Sequence, residues 1–371
     1  MKTDDFNYDL PQELIAQEPV KPRDHSRLLV VERNKKQETL QSCGQAKNKP
    51  VQQLHFYDIL DYLNKGDLIV WNNSKVFKAR LFGQLVSNTG QVLRGHDKPV
   101  EIFLVRSMEN EGVWKVLAKP GRHVRMGCKV VFADDFECEV LLKEPEGTIL
   151  VQFPDSAEVV RQKANKYGTV PVPPYVKDEK HELESYQTVY ADDRHEGSVA
   201  APTAGFHFTP ELIKKLKNKG VKFAEVTLHV GLGTFLPVKS ERVEDHVMHS
   251  EWVELTTENI KKINFAKTEG RRVVAVGTTT VRTLEGVAKL QSYEVTKQLK
   301  KYSGDINIFI KPGFEFQIVD AMITNFHLPK STLLMLVSAF VHDREFTLSC
   351  YEEAVKEKYR FYSFGDAMFI R

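Results

Sequence analysis

Short apolar segments separated by turn residues fill the chain between residues 66 and 157. The segments are rich in β-branched and aromatic residues: L-I-V-W, V-E-I-F-L-V, V-W-K-V-L-A, C-K-V-V-F and F-E-C-E-V-L-L. Turn sequences such as N-T-G, N-E-G and K-P-G-R lie between them, and no long helical period interrupts them. This pattern predicts a small barrel or sandwich built from short strands.

After residue 158 the pattern changes to strands that alternate with helices. Four segments have the composition of strands: G-S-V-A-A, V-K-F-A-E-V-T-L-H-V, R-R-V-V-A-V-G and F-Q-I-V-D-A-M-I-T-N. One helix is predicted to begin at Thr209-Pro210, because Thr caps helices and Pro suits the first helical position, and to end near Gly220. The alternation predicts a mainly parallel sheet with helices on both faces.

The first 65 residues contain a short predicted helix, P-Q-E-L-I-A-Q, and a predicted strand, R-L-L-V-V-E-R. With a helix and a strand, these residues are more similar in pattern to the α/β part after residue 158 than to the strand-rich part. We therefore expect an α/β fold with an inserted small β-barrel domain. Residues 1–65 and 158–371 would form the α/β domain, whose main part carries the active-site loops, and residues 66–157 the insert.

The composition is that of a globular protein, with 42% apolar and 27% charged residues. No segment approaches the roughly 18 consecutive apolar residues of a membrane span. The polar N-terminus lacks the apolar core of a signal peptide, so we expect a cytoplasmic protein. Four scattered cysteines without a C-x-x-C pair favour free thiols: Cys43, Cys128, Cys138 and Cys350.

The net charge of +2 neither requires nor excludes a nucleic-acid partner, so local basic clusters matter more. Such clusters occur in K-V-F-K-A-R and K-P-G-R-H-V-R of the predicted barrel, and in K-K-L-K-N-K further along. Each one taken alone is more typical of a solvated surface than of a binding patch.

Chemically distinctive residues follow the ends of the predicted strands. They are Thr203, Gly205 and His207; His229 and Gly231; Thr278, Thr279, Thr280 and Arg282; and Asn325, His327, Lys330 and Ser331. Ligands of open parallel sheets bind outside the carboxyl ends of the strands, so these loops are expected to meet at one rim. Glycines permit close backbone approach, helix N-termini attract carboxylate or phosphate, and Arg282 could bind a carboxylate through two hydrogen bonds.

Histidines cluster in the second half of the chain, where they could exchange protons near neutral pH. In D-H-V-M-H-S-E, His246 and His249 lie close to Glu251, and H-x-x-H with carboxylates could hold a metal. No third ligand is defined, however, and H-E-x-x-H is absent. Acid–base or substrate-binding use is therefore favoured, and structural histidines remain the second alternative.

Several common enzyme motifs are missing from the chain. G-L-G-T-F lacks the G-x-G-x-x-G pattern that opens a helix in dinucleotide-binding folds. There is also no G-x-x-x-x-G-K-[ST] phosphate loop and no G-x-S-x-G nucleophile elbow. A nicotinamide enzyme, a P-loop nucleotidase and an α/β-hydrolase are therefore disfavoured.

Long blocks of the sequence resemble one family, the S-adenosylmethionine:tRNA ribosyltransferase-isomerases of the queuosine pathway. These blocks include F-N-Y-D-L-P-Q-E-L-I-A-Q-E-P, N-N-S-K-V-F-K-A-R-L, V-P-V-P-P-Y, G-S-V-A-A-P-T-A-G-F-H-F-T, V-T-L-H-V-G-L-G-T-F, A-V-G-T-T-T-V-R-T-L-E, I-T-N-F-H-L-P-K-S-T-L-L-M-L and Y-R-F-Y-S-F-G-D-A-M. They span nearly the whole chain and occur in order.

The resemblance implies transfer of the ribosyl part of S-adenosylmethionine to 7-aminomethyl-7-deazaguanine at the tRNA wobble position. The ribose would be rearranged to give epoxyqueuosine-tRNA, with release of adenine and methionine. S-adenosylmethionine would be a co-substrate, no metal would be needed, and the protein would be a monomer. The alternatives are a tRNA methyltransferase that uses the same co-substrate, a non-catalytic tRNA-binding module and a metal hydrolase.

Roles for the candidate residues follow from this implied chemistry. Proton transfer is expected from His207, His229, His246 or His327, with Glu251 as a further catalytic candidate. Substrate binding is expected from Thr203, Gly205, Gly231, Thr278, Thr279, Arg282, Asn325 and Ser331. Contacts to tRNA phosphates are expected from Lys78, Arg80, Arg122 and Arg125.

Overall fold

The computed structural model describes residues 1–33, 51–87, 91, 98–145, 147–173, 175–176, 182–231, 238, 240–248 and 250–371. The strands of these residues are β1 (Arg27–Val31), β2 (Val51–His55), β3 (Leu68–Asn72), β4 (Lys75–Val76), β5 (Arg80–Val86), β6 (Val100–Ser107), β7 (Val113–Lys119), β8 (Lys129–Ala133), β9 (Phe136–Lys143), β10 (Ile149–Gln152), β11 (Glu196–Ser198), β12 (Lys222–Leu228), β13 (Glu251–Leu255), β14 (Val273–Val276), β15 (Tyr302–Ile306), β16 (Ala321–Asn325) and β17 (Ala367–Ile370). The α-helices are α1 (Ile59–Tyr62), α2 (Ala157–Tyr167), α3 (Pro210–Lys219), α4 (Thr257–Thr268), α5 (Thr278–Leu290), α6 (Tyr293–Thr296), α7 (Thr332–Val341) and α8 (Arg344–Lys356).

A nine-stranded sheet forms the centre of the larger part, in the order β15-β13-β12-β3-β14-β16-β17-β1-β2. Its four middle strands, β12, β3, β14 and β16, are mutually parallel. Every residue of β3, β14 and β16 is buried, because apolar layers cover both faces of the sheet. The predicted sheet is confirmed, although its outer strands are partly antiparallel.

The N-terminal segment joins this sheet as predicted, because β1 pairs in parallel with the C-terminal strand β17. Helix α3 also begins and ends where the sequence indicates. The Thr209 hydroxyl accepts a hydrogen bond from the Leu212 amide, Pro210 is the first helical residue, and Gly220 ends the helix with φ of 92°.

The inserted part is a closed six-stranded barrel, β10-β7-β6-β5-β8-β9, with antiparallel neighbours throughout. Burial largely alternates along β5, as it does in a barrel strand with one face inward. The large side chains of Phe77, Trp114, Phe136 and Phe153 fill the core of this part.

Two strand predictions were wrong. L-I-V-W was assigned to the insert, but it forms β3 at the centre of the large sheet, and its unbroken apolar run suits a strand covered on both faces. G-S-V-A-A is expected in the large sheet, but within the described residues its strand β11 pairs with β4 instead, and the Ser198 hydroxyl bonds Ala200 O and the Val230 amide. The proposed boundary between the two domains stays a prediction.

Glu285 fixes helix α5 against the segment that leads into β16. Its side chain is 1% exposed, and its carboxylate accepts the backbone amides of Gln317, Ile318 and Val319 at 2.9, 3.0 and 2.9 Å. Burial raises the pKa of this carboxyl group. These three amides have no carbonyl acceptor from a strand or helix among the described residues, so the carboxylate accepts the hydrogen bonds that backbone carbonyls would otherwise accept.

We expect Glu285→Ala to lower the free energy of unfolding by about 3–5 kcal/mol, because three buried amides lose their acceptor at once. Chemical denaturation would measure the loss. The exposed Glu352 on α8 offers a matched control, and Glu352→Ala should change stability by less than about 0.5 kcal/mol. Equal losses in the two variants would contradict the role of Glu285.

Candidate active site

A cleft of about 180 Å³ opens where β14 and β16 end, beside the end of β12. Four of the segments that the sequence singled out line it together: residues 200–204, Val230, residues 277–279 and residues 324–328 with Ser331 and Leu333. Tyr175, Tyr362 and Ser363 complete the wall. The prediction that these loops meet at one rim is therefore confirmed.

The N-terminus of helix α5 opens into this cleft. Gly277 precedes it with φ of 86°, a left-handed conformation that favours glycine, and gives the helix no side-chain cap. The Thr280 hydroxyl bonds Val276 O, whereas the Thr279 hydroxyl is buried, lines the cleft and has no partner among the described residues. Uncapped amides and a spare hydroxyl at a helix N-terminus suit an anionic group.

Helix α7 also begins at the cleft, but its cap is complete. The Ser331 hydroxyl accepts a hydrogen bond from the Leu334 amide at 3.2 Å and donates one to Leu328 O at 2.8 Å. Ser331 lines the cleft, as predicted for a substrate-binding residue, yet its hydroxyl already serves the helix.

His327 is the one predicted catalytic histidine that lines the cleft within the described part of the chain. Its Nε2 lies 2.8 Å from the Thr324 hydroxyl, and burial lowers its pKa to about 3. The ring is therefore neutral at neutral pH. Its contact with Thr324 fixes the orientation of the imidazole.

His207 lies behind the cleft wall rather than in it. Its side chain is 3% exposed, its ring packs 5.0 Å from Phe56, and its Nδ1 lies 2.7 Å from the Ser26 hydroxyl. Burial, together with the nearby Arg360 and Arg23, lowers its pKa to about 3.

His229 and His246 do not line the cleft either. The His229 ring stacks on Trp252 at 5.0 Å, and burial lowers its pKa to about 4. His246 contacts the edge of Phe309 at 5.5 Å. The four histidines are thus spread over separate sites, while His249 lies outside the described residues.

Arg282 and Glu251 form a buried ion pair beside the N-terminal turns of α5. Both residues are at most 6% exposed, and Gly231 donates its amide to the same carboxylate at 3.4 Å. The Nε and Nη2 of Arg282 have no partner among the described residues. Arg282 therefore does not project freely toward a substrate carboxylate, although two of its donors stay available.

The other predicted substrate residues differ in their surroundings. Thr203 lines the cleft, and Asn325 lines it while donating its amide to Tyr362 O at 2.7 Å. Gly205 packs against Tyr190, where a Cβ atom would lie 1.9 Å from the phenol oxygen. Gly205 is thus needed for close packing rather than for ligand approach.

Tyr175, Tyr362 and Ser363 were missed as site residues. Tyr175 ends the V-P-V-P-P-Y block, and the other two lie in Y-R-F-Y-S-F-G-D-A-M. Both blocks carry the family resemblance, so a signal was present. Neither block follows a predicted strand of the parallel sheet, so the rule that ligands bind at the carboxyl ends of strands does not point to these residues.

The predicted tRNA-binding residues divide into two pairs. Arg122 and Arg125 are exposed in the turn between β7 and β8, next to Met126, which is 79% exposed. Arg80 is half-buried and held by Glu101 and by Val172 O, each at 3.3 Å. Lys78 is also half-buried, beside Asn165. Only the first pair is presented freely at the surface.

Within the described part of the chain, no helix is both long and apolar enough to span a membrane. The same residues contain no group of three His, Cys, Asp or Glu side chains placed to hold a metal ion. Cys128, Cys138 and Cys350 are free thiols, and Cys43 lies outside the described residues.

Comparison with known proteins agrees with the resemblance seen in the sequence. The family model described as "Queuosine biosynthesis protein" matches residues 3–370. Proteins named S-adenosylmethionine:tRNA ribosyltransferase-isomerase are 50% identical in Thermotoga petrophila and 49% identical in Thermotoga maritima, each over 371 residues and 100% of both chains. A relative of the same name in Thermosipho melanesiensis is 48% identical over 370 residues.

One solved structure, S-adenosylmethionine tRNA ribosyltransferase from Thermotoga maritima, shares the architecture. It aligns with a TM-score of 0.53 and 38% identity, covering 99% of this chain and 100% of that one. The family match over nearly the whole chain and the full-length relatives lead to one conclusion. The chain belongs to the queuosine biosynthesis protein family.

Proposed function

We propose that this protein transfers and isomerises the ribosyl group of S-adenosylmethionine onto 7-aminomethyl-7-deazaguanine at the wobble position of tRNA. The products are epoxyqueuosine-tRNA, adenine and methionine. The names of the full-length relatives support this reaction over methyl transfer. The observation that carries it is the cleft at the strand ends, with an uncapped helix N-terminus open to it.

The cleft offers separate places for the parts of S-adenosylmethionine. We assign its carboxylate to the N-terminus of α5, where amides and the Thr279 hydroxyl are free to donate. Anchoring a remote group in this way orients the ribose for reaction without binding the reacting atoms themselves. Arg282, paired with Glu251, lies near the same helix end, and its Nε and Nη2 have no partner among the described residues.

The reaction also needs a base for a ribose methylene that the neighbouring sulfonium makes acidic. We assign this role to His327, because it is the predicted catalytic histidine that lines the described cleft. His207, His229 and His246 lie outside the cleft and are less suitable. We further propose that the protein works in the cytoplasm as a monomer and needs no metal ion.

The tRNA is proposed to contact the barrel through the turn that carries Arg122 and Arg125. Exposed arginines bind phosphates, and the exposed Met126 beside them gives an apolar surface for an unstacked base. Arg80 and Lys78 are left out of this assignment, because their side chains are half-buried.

Analysis of the small-molecule products tests the reaction. The purified protein, incubated with S-adenosylmethionine and tRNA that carries the deazaguanine precursor, should release adenine and methionine in equal amounts. A methyltransferase would instead release S-adenosylhomocysteine, and a binding module would consume no S-adenosylmethionine. Either result, seen by chromatography, would overturn the proposed reaction.

Replacing the Thr279 hydroxyl tests the proposal that it binds the carboxylate of S-adenosylmethionine. We expect Thr279→Val to raise the KM for S-adenosylmethionine roughly 10- to 100-fold, since a hydrogen bond to a charged group contributes about 1.5–3 kcal/mol. The control is Thr283→Val, one turn further on, where the hydroxyl bonds only Thr279 O. An unchanged KM in Thr279→Val, or an equal rise in both variants, would refute the assignment.

Salt dependence tests the barrel contact. Arg122→Ala with Arg125→Ala should weaken tRNA binding and reduce the slope of log Kd against log salt by roughly 1 to 2, because two phosphate contacts are lost. A double change of the exposed Lys261 and Lys262 on α4 to Ala removes the same charge elsewhere. If the two double variants weaken tRNA binding and reduce its salt dependence equally, the turn with Arg122 and Arg125 is not a specific tRNA contact.

A further inference from the structure

The backbone of Tyr362 is held in an unusual conformation in the wall of the cleft. Its φ is 70°, a left-handed value that residues other than glycine, Asn and Asp seldom adopt. Such a conformation costs about 1–3 kcal/mol and persists only where neighbouring contacts enforce it. Contacts around Tyr362 must therefore hold its backbone in this conformation.

Backbone hydrogen bonds hold Tyr362 on both sides, since its amide donates to Phe326 O at 3.2 Å and its carbonyl accepts from the Gly365 amide at 3.0 Å. Asn325 adds side-chain contacts from the end of β16. Its side-chain amide donates to Tyr362 O at 2.7 Å and lies 3.4 Å from Ser363 O. Ser363 in turn lies 2.7 Å from the Tyr175 hydroxyl, and the Tyr175 and Tyr362 rings pack 4.4 Å apart at 31°. The result is a pair of aromatic rings fixed at the cleft surface.

His207 completes this arrangement from behind. Since Asn325 turns its amide nitrogen to the two carbonyls, its Oδ1 is left for another donor. The His207 side chain lies beside Asn325, and His207 Nε2 and Asn325 Oδ1 are both buried without a hydrogen-bond partner among the described residues, so each is the complement that the other lacks. Both side chains are at most 4% exposed, so each buried polar atom needs this contact.

The hydrogen-bond donors and acceptors around His207 are consistent with one tautomer of its imidazole. A neutral imidazole that donates from Nε2 to Asn325 must accept at Nδ1, and the Ser26 hydroxyl, 2.7 Å away, can donate there. Burial, together with Arg23 and Arg360, keeps the ring neutral. Nδ1 is thus engaged by Ser26, and Nε2 is left for the buried Oδ1 of Asn325, so neither nitrogen is available to a substrate proton.

We propose that His207 is a positioning residue: through Asn325 it holds Tyr362 in its left-handed conformation, so that Tyr175 and Tyr362 form an aromatic subsite for a planar purine-like ring. This inference rests on the proposed function. Two rings of that chemistry take part in the reaction, the adenine of S-adenosylmethionine and the deazaguanine of the tRNA. Stacking on an aromatic side chain suits either.

Two substitutions at His207 separate positioning from proton transfer. His207→Phe keeps an aromatic ring against Phe56 but removes both hydrogen bonds, and His207→Gln keeps a side chain that can donate and accept. We expect His207→Phe to raise the KM for one substrate roughly 10-fold or more, because a buried acceptor on Asn325 is left unpaired. His207→Gln should recover most of the loss, and both variants should keep the wild-type pH profile of kcat.

The substrate whose KM rises identifies the ring. A rise for S-adenosylmethionine alone indicates adenine, and a rise for tRNA alone indicates deazaguanine. Tyr362→Leu should raise the KM for the same substrate, since it removes the stacking ring. Circular dichroism and thermal melting establish that each variant is folded, and Ser26→Ala, which removes only the Nδ1 partner, replaces His207→Phe if that variant does not fold.

A double-mutant cycle tests whether His207 acts through Tyr362. Tyr362→Gly removes the ring and the backbone strain together, so in this background we expect His207→Phe to raise the KM by less than about 3-fold. Additive effects would overturn the positioning role. So would a loss of kcat with unchanged KM and a shifted acid limb, which would mark His207 as a proton carrier.

The control variant is His342→Asn, at an exposed histidine whose φ of 62° asparagine tolerates. It should match the wild type in every measurement. If His207→Phe also matched the wild type, the inference would fail while the reaction stood. A wild-type protein that released no adenine would instead refute the proposed function.

Discussion

Burial of the central parallel strands on both faces is the constraint on which the site depends. Helices and apolar side chains cover β3, β14 and β16 completely, so polar chemistry can reach solvent only where these strands end. The strand ends deliver Gly277, Asn325 and their neighbours to one cleft. Glu285 adds to this by tying α5 to the segment before β16, which sets the helix N-terminus and the end of β16 relative to each other.

The same burial decides what the histidines can do. Desolvation favours the uncharged imidazole, and it lowers the pKa of His207, His229 and His327 well below the usual value. A histidine behind the wall can orient a neighbour, whereas a histidine in the cleft can also meet the substrate. Position relative to the cleft therefore separates His207 from His327, although burial lowers the pKa of both, and Arg23 and Arg360 add to the effect at His207.

The charged groups of the site are arranged on a different principle. Glu251 and Arg282 neutralise each other in the interior, and breaking such a pair leaves an uncompensated buried charge. The described lining of the cleft itself is uncharged, and attraction for an anion comes from the amides of α5. Exposed positive charge appears instead on the barrel turn with Arg122 and Arg125, far from that buried pair in the sequence and on another part of the fold.

The amino-acid sequence alone predicts the two-part architecture, the start and end of α3, and the loops that meet at the cleft, because these follow from local patterning, capping and the rule for strand ends. It could not place L-I-V-W in the large sheet or G-S-V-A-A outside it, since strand partners are chosen by burial on distant elements. It also could not rank the histidines or find Tyr175 and Tyr362. These points depend on tertiary contacts, because exposure, unpaired hydrogen-bond donors and a strained φ arise from residues that are far apart in the chain.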